Sequence, residues 1–277
     1  MFEFLYRGGV LELSHHTHIM GILNITPDSF SDGGRYTHVD AAANRALTIQ
    51  AEGADILDIG AQSTRPGHVP ITAEEEWNRL RPVLEALRGR VTIPLSIDTY
   101  YPEVAARALE AGAHIINDVS GSLQNGMPDV AARYGAGLVM MHAGGGADDE
   151  GGEDAVAAVR AYFLEALETA ERAGLARAAV CLDPGIGFGK PRSGDVQLIA
   201  RLPQVMAGLP ETALLVGASR KRVVGMWCGN PPFEERLPGT IALHTLAQWN
   251  GAHILRVHDV APAVQAARVA DACRRER

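Results

Sequence analysis

The sequence predicts an α/β protein of the (β/α)8 TIM-barrel class, and three observations lead there. Eight short apolar runs alternate with segments of helical spacing between Thr17 and Cys273. From Asn24 to His258 the polar residues that end successive runs recur about every 33 residues, the length of an ordinary βα unit. No linker or low-complexity stretch breaks the alternation, so residues 1–277 read as one domain. Alternation of this kind calls for parallel strands. A chain of 277 residues suits closure into a barrel, which typically needs about 250. Functional side chains of such a barrel gather at the C-terminal ends of its strands.

The elements follow in order. Phe2 to Leu13 is expected to form a short β-hairpin turning at Gly8-Gly9. Thr17 to Leu23 is the first barrel strand, and a long polar loop from Asn24 to Gly34 follows it, with one aromatic, Phe30. Val39 to Gly53 has helical spacing, and Ala54 to Ile59 is the second strand, leading into the loop Gln62 to Gly67. Thr72 to Arg88 reads as a helix opening on a capping box, Thr72 with Glu75. Strands at Ile93 to Ile97, His114 to Ile116 and Leu138 to Met141 are separated by helices at Pro102 to Ala111 and Asp129 to Tyr134. A glycine-rich acidic loop, Gly144 to Gly152, precedes the long helix Glu153 to Ala173 and the strand Ala178 to Leu182. One helix is expected over Val196 to Met206, then the strand Ala213 to Val216 and a short helix at Val223 to Trp227. Gly239 to Trp249, the strand His253 to Val257 and an amphipathic helix from Pro262 to Cys273 complete the series.

The strand ends carry the chemistry. Asp183 closes an apolar run and is followed by Pro184 and three spaced glycines, Gly185, Gly187 and Gly189, then Lys190. A carboxylate at the mouth of a buried strand is costly unless something hydrogen-bonds to it. Glycines let the backbone bend sharply and approach a ligand closely. The plainer alternative is that Asp183 caps its own loop. A Walker phosphate loop is excluded by Pro184 and Pro191, and the one-apart glycines exclude a dinucleotide fingerprint. Asn24, Thr64-Arg65, Asp98, Asn117, Lys221 and His258 end other strands in the same manner, with Arg256 just inside the last. Carboxylates here would pair with a flat N–H edge such as an aminopyrimidine. Lys221 would donate to a ring carbonyl, while Arg256, His258 and Arg65 suit a phosphorylated group. Helix caps, turns and an intra-barrel ion pair are the alternatives for Asp98, Asn117 and Arg256 respectively.

Composition narrows the setting. A net charge of −8 and a pI of about 5.7 argue against nucleic-acid or anionic-membrane partners. Three cysteines without metal spacing point to a reducing cytoplasm, and no run approaches a membrane span. Of 25 cationic residues only two are lysines, Lys190 and Lys221, both in loops after apolar runs. An ammonium and a guanidinium are not interchangeable at a binding site, which marks both positions. Lys190, beyond three glycines, has the weaker claim to a ligand.

In unbroken order from about Met20 to Val260 the motifs resemble those of the dihydropteroate synthases. They run Met20-Gly21-Ile22-Leu23-Asn24-Ile25-Thr26-Pro27-Asp28-Ser29-Phe30-Ser31-Asp32-Gly33-Gly34, Ser63-Thr64-Arg65-Pro66-Gly67, Ser96-Ile97-Asp98-Thr99 and Asn117-Asp118-Val119-Ser120. Asp183-Pro184-Gly185-Ile186-Gly187-Phe188-Gly189-Lys190, Ser219-Arg220-Lys221 and Arg256-Val257-His258-Asp259 continue them. That family has a barrel fold, makes folate precursors and is the sulfonamide target. It joins 6-hydroxymethyl-7,8-dihydropterin diphosphate to p-aminobenzoate with loss of diphosphate. The resemblance implies that Asp98, Asn117, Asp183 and Lys221 hold the pterin, with Phe188 and Gly217 among the substrate contacts. It implies Arg65, Arg256, His258 and Asn24 on the diphosphate, with Asn24 also near a Mg2+ ion, and Thr64 among the substrate-binding residues. Phe30, Pro66 and the turn at Ser219 to Arg222 would enclose p-aminobenzoate, and Asp32 or Asp98 would lend charge to a cationic intermediate. It further implies a homodimer, and the loops at Asn24 and Gln62 are expected to order on diphosphate before p-aminobenzoate binds.

Departures from the family pattern are Ala61-Gln62 in place of Gly-Glu, the loop Gly144 to Gly152, and Arg222 where some relatives have serine. A pterin-binding corrinoid methyltransferase barrel explains the acidic residues but neither the Ser-Arg-Lys loop nor the Phe30 loop. A non-catalytic pterin-binding paralogue would have no use for the diphosphate residues.

Overall fold

The computed structural model describes residues 2–26, 35–62, 69–144 and 154–276. Two strands form the N-terminal hairpin, β1 (Glu3–Tyr6) and β2 (Gly9–Glu12). The chain then runs β3 (His18–Asn24), α1 (Arg35–Ala51), β4 (Ile56–Gly60), α2 (Ala73–Leu87), β5 (Leu95–Asp98), α3 (Pro102–Glu110), β6 (Ile115–Asp118) and α4 (Met127–Tyr134). It continues through β7 (Gly137–Met141), α5 (Ala155–Arg172), β8 (Val180–Asp183), α6 (Arg192–Ala200), α7 (Leu202–Met206) and β9 (Ala213–Val216). The last elements are α8 (Arg222–Trp227), α9 (Leu237–Trp249), β10 (Ile254–Val257) and α10 (Val260–Arg275). Strands β3 to β10 close in sequence order into a parallel barrel, β10 pairing with β3. The expected (β/α)8 fold is therefore the observed one.

Three local features differ from expectation for identifiable reasons. The hairpin turns at Arg7-Gly8, one residue early: Tyr6 pairs with Gly9, and Gly8 takes the positive φ of 80°. Gly9 belongs to the strand through this pairing, and the Tyr6 ring packs over its bare face. The helix expected at Val196 to Met206 is two helices, because Pro203 lacks an amide and opens α7. The capping box of α2 is half formed: the Thr72 hydroxyl accepts the Glu75 amide at 3.2 Å, but the Glu75 carboxylate turns to Arg79.

Two cores hold the fold. The larger lies between barrel and helices; Leu57, Leu80, Val104, Val159 and Leu214 belong to it. The smaller fills the barrel itself, where Met20, Ile56, Ile115, Val139, Cys181 and Ile254 meet Phe4, Leu11 and Leu13 from the hairpin. The hairpin thus plugs the barrel at the strand beginnings. That leaves the opposite mouth, at the strand ends, as the open one.

Candidate active site

Each site side chain stands where a strand stops. Register places Asn24 beside Gly60, Gly60 beside Asp98, and Asp98 beside Asn117 across β3 to β6. Asp183 ends β8, and Arg256 lies one residue from the end of β10. Parallel register therefore brings these groups to one rim.

Arg256 and Asp58 organise the floor. The Arg256 guanidinium donates from Nε to Asp58 Oδ2 at 2.7 Å and from Nη2 to Asp98 Oδ2 at 2.5 Å. Asp58 is fully buried and also accepts from Asn117 Nδ2 at 3.2 Å and Ser96 Oγ at 2.6 Å. A buried carboxylate with three donors is well compensated, and it sets the rotamers of both Asn117 and Arg256. Sequence reasoning missed Asp58. Its signal was present: one acid inside the apolar strand Ile56-Leu57-Asp58-Ile59. Asn117 turns its amide nitrogen to Asp58, and its buried Oδ1 has no hydrogen-bond partner. Burial raises Asp98 above the ordinary carboxylate range, and Arg256 opposes that rise. The expected intra-barrel pairing of Arg256 is thus observed.

Opposite stands the Asp183–Lys221 pair. Asp183 Oδ1 accepts the Gly185 amide at 2.7 Å, so the loop-cap role is observed too. Burial raises its carboxyl, with Lys221 pulling it back. Lys221 donates to the Ile186 carbonyl at 2.6 Å, and its ammonium sits 4.4 Å from the centre of the Phe188 ring. Burial lowers Lys221 to about 8. Gly217 lies against both Arg256 and Lys221, where a Cβ would come within 3.5 Å of the arginine Cβ. The loop beneath is stapled by Lys190, whose ammonium donates to the carbonyls of His142, Gly185 and Phe188 at 3.0, 2.8 and 3.1 Å. Gly185, with φ of 66°, has its open face against the His142 carbonyl, where no side chain fits.

The remaining rim is polar and preorganised. Ser219 Oγ accepts the backbone N–H of His258 at 3.2 Å and lies 3.0 Å from His258 Nδ1. With the hydroxyl donating to Nδ1, the ring proton of His258 is on Nε2. Burial lowers His258 to about 4, so the ring is neutral at physiological pH. Arg220 grips Asp259 through two bonds of 2.8 and 2.6 Å, with φ of 55°, and lies over the Phe233 ring that packs on His258. Asp118, next to Asn117, holds its own loop by accepting from Ser120 and Asn125.

Phe30, Asp32, Thr64, Arg65, Pro66 and the loop from 145 to 153 lie outside the described residues, so their expected roles and the expected loop ordering stand on sequence alone. Gln62, the second member of the divergent Ala61-Gln62 pair, is described: it bonds Tyr100 through Nε2 and accepts the Ile71 amide at 3.1 Å.

The model of the pterin-binding enzyme family matches residues 20–258. Dihydropteroate synthase from Escherichia coli strain K12 is 43% identical over 96% of this chain and 94% of its own. A dihydropteroate synthase from Xanthomonas albilineans, solved with 4-aminobenzoic acid, superposes with a TM-score of 0.89 at 44% identity, covering 96% of each chain. The Xanthomonas albilineans enzyme in complex with 7,8-dihydropteroate gives a TM-score of 0.86 at 37% identity, covering 99% of each chain.

Proposed function

The chain belongs to the pterin-binding enzyme family, and from that premise we infer that it is a dihydropteroate synthase. It condenses 6-hydroxymethyl-7,8-dihydropterin diphosphate with p-aminobenzoate to give 7,8-dihydropteroate and diphosphate. The observation that carries this reading is the Asp58-centred rim. One buried network aims Asn117 Oδ1, Asp98 and Arg256 at the same space, faced by Asp183 and Lys221. A flat ring with N–H groups on one edge and a carbonyl beside them satisfies these acceptors and the ammonium together.

The residues divide the work accordingly. Asp183 accepts from the aminopyrimidine edge, Asn117 Oδ1 accepts a ring N–H, and Lys221 donates to the ring oxygen. The arylamine of p-aminobenzoate is neutral and nucleophilic, so no strong base is required. Its lone pair forms the new C–N bond while the C–O bond breaks and carries its electrons onto diphosphate. The amine's proton leaves to solvent or to diphosphate. Arg256 and the Nε2–H of His258 hold the departing oxygens, and Arg65 and Thr64 join them in this reading. Asp98 lends negative charge to the methylene as it becomes cationic, with Asp32 assigned the same task from the sequence. Phe30, Pro66 and Ser219 form the p-aminobenzoate side, and Phe188 lies against Lys221 under the pterin.

Mg2+ belongs to this proposal. Asn24 would supply a hard amide oxygen at the end of β3, and bare Gly60 leaves room between it and Asp98: a Cβ there would meet Asn24 Oδ1 at 3.7 Å and Asp98 Cβ at 3.5 Å. One protein oxygen fits an ion that takes its other ligands from water and phosphate. When bound, Mg2+ neutralises charge on the leaving diphosphate.

A homodimer is supported by an apolar surface on α8, α9 and α10, where Met226, Trp227, Leu246, Trp249 and Val269 are exposed. Light scattering that returns a monomer overturns it. Three free cysteines support a cytoplasmic location, and no described helix is long and apolar enough to cross a membrane. The test of function is direct. Purified protein should form dihydropteroate and diphosphate from the two substrates with Mg2+, and transfer no methyl group from methyl-tetrahydrofolate. Pterin binding without product overturns the reading.

A further inference from the structure

A second group of ligating side chains lies at the closed end of the barrel. His18 begins β3, Asp55 directly precedes β4, and His16 lies in the connection from the hairpin. Their ligand atoms all fall within 4.8 Å of one another. This group is at the strand beginnings, away from the rim described above.

The hydrogen bonds around it select a cation. His18 Nε2 is 2.7 Å from the Glu12 carbonyl, which only accepts, so Nε2 carries the ring proton. When the ring is neutral, it then presents the Nδ1 lone pair. That atom is buried and has no hydrogen-bond partner, in a side chain only 4% exposed. It faces Asp55 Oδ1 at 3.6 Å, too far for a direct hydrogen bond. The other Asp55 oxygen is fixed by the Ile19 amide at 2.8 Å, which leaves Oδ1 available. The His16 ring lies over the His18 ring, centroids 4.1 Å apart and tilted by 54°. Two electron pairs directed at one gap repel unless a proton or a metal ion lies between them.

The arrangement has the form of a metal site. A ligating histidine ordinarily donates its other N–H to a carbonyl or carboxylate, as His18 does to Glu12. Two ligands about 2.1 Å from a tetrahedral zinc are about 3.4 Å apart, close to the observed gap. We propose that His16, His18 and Asp55 bind one divalent ion of the zinc class, with water completing the shell. Two imidazoles and one carboxylate favour Zn2+, Ni2+ or Cu2+ over Mg2+ or Ca2+. The ion ties the hairpin, through Glu12 and His18, to the start of β4. It strengthens the plug rather than the reaction.

A proton competes for the same gap. Burial lowers the His18 pKa, but the Asp55 and Glu12 contacts outweigh it and the net shift is upward. Other ionisable groups near the gap are the Glu12 carboxylate, which accepts from Ser14, the exposed His15, and His253, whose carbonyl accepts the His18 amide. Metal affinity should fall as pH is lowered, because imidazole and carboxylate ligands bind a metal only when deprotonated.

The experiment titrates chelator-treated full-length protein with Zn2+ and with Co2+ near neutral pH, following heat, cobalt absorption and the unfolding midpoint. One ion per chain is expected, undisplaced by excess Mg2+, with a raised unfolding midpoint. His16→Ala, an exposed position, should weaken binding at least about tenfold and leave dihydropteroate formation unchanged. Asp55→Asn, which keeps an acceptor for Ile19, should do the same; if it fails to fold, the His16 variant still decides. A Cys228→Ser/Cys273→Ser variant should bind as the parent does. Unchanged affinity in His16→Ala, loss of binding in the cysteine variant, or no stoichiometric ion at all overturns the proposal and leaves a plain His18–Asp55 ion pair.

Discussion

Asp183 serves two partners with one carboxylate, and that sets the outcome of changing it. Its Oδ1 holds the Gly185 amide, so in Asp183→Asn the carbonyl oxygen stays on Gly185 and the NH2 turns to the ligand. N–H then meets N–H. Pterin affinity should fall by roughly 2–4 kcal/mol while the fold persists, as calorimetry and circular dichroism can show. Lys221 gives a second prediction. Its pKa of about 8 lies below the ordinary lysine value of 10.5, because burial opposes the charge. Between these values the unfolded chain binds more protons than the folded one, so this group makes stability rise with pH across that window. Catalysis needs the ammonium, so kcat/KM should fall as pH passes about 8. Activity and stability then move in opposite directions, and pH–rate and pH–melting profiles check both. Lys221→Arg should be severely impaired, since a planar fork does not fit beside Phe188 and the Ile186 carbonyl.

At the scale of elements, the loop after β8 is held by a charge as well as by the buried Ile186. Lys190 gathers three carbonyls from two loops, those after β7 and β8, and is 6% exposed. Lys190→Met should leave those carbonyls short of a donor and cost about 2 kcal/mol or more of stability. It should raise KM for the pterin substrate more than it lowers kcat, because Asp183 and Phe188 are positioned by that loop. A variant with parent-like denaturant midpoint and KM would show that water replaces the ammonium without loss. Strand β4 shows the same dependence in the barrel wall. Asp58→Asn removes the charge facing Arg256 and should lower activity by disordering Arg256 and Asn117 together, which a structure of the variant would reveal.

On the scale of the molecule, the hairpin and the rim are at opposite ends of one barrel. Phe4 is fully buried among the barrel interior residues and lies against Gly137 at the start of β7. Phe4→Ala should cost about 3–5 kcal/mol, through lost burial and the cavity left behind. Thermal unfolding should register the loss, while kcat at moderate temperature stays near the parent value. A large fall in kcat without a fall in stability would instead couple the plug to the rim.

By itself the sequence determined the eight-fold βα alternation, the open end of the barrel and most of the rim. Those follow from local patterns: apolar runs of strand length, glycines after Asp183, and a polar residue where each run stops. The resemblance to a known family rests on the same local motifs. Which atom meets which was decided by closure. Asp58 and Arg256 are 198 positions apart, and only parallel register around a closed barrel brings them to 2.7 Å. Lys190 and Lys221 look alike in sequence, yet folding gives one to three carbonyls and aims the other at the rim. The gap between His18 and Asp55 is likewise a tertiary fact, because His18 and the residue after Asp55 begin adjacent strands. Local propensity fixes where a strand ends; the long-range geometry of the barrel fixes what its last side chain touches.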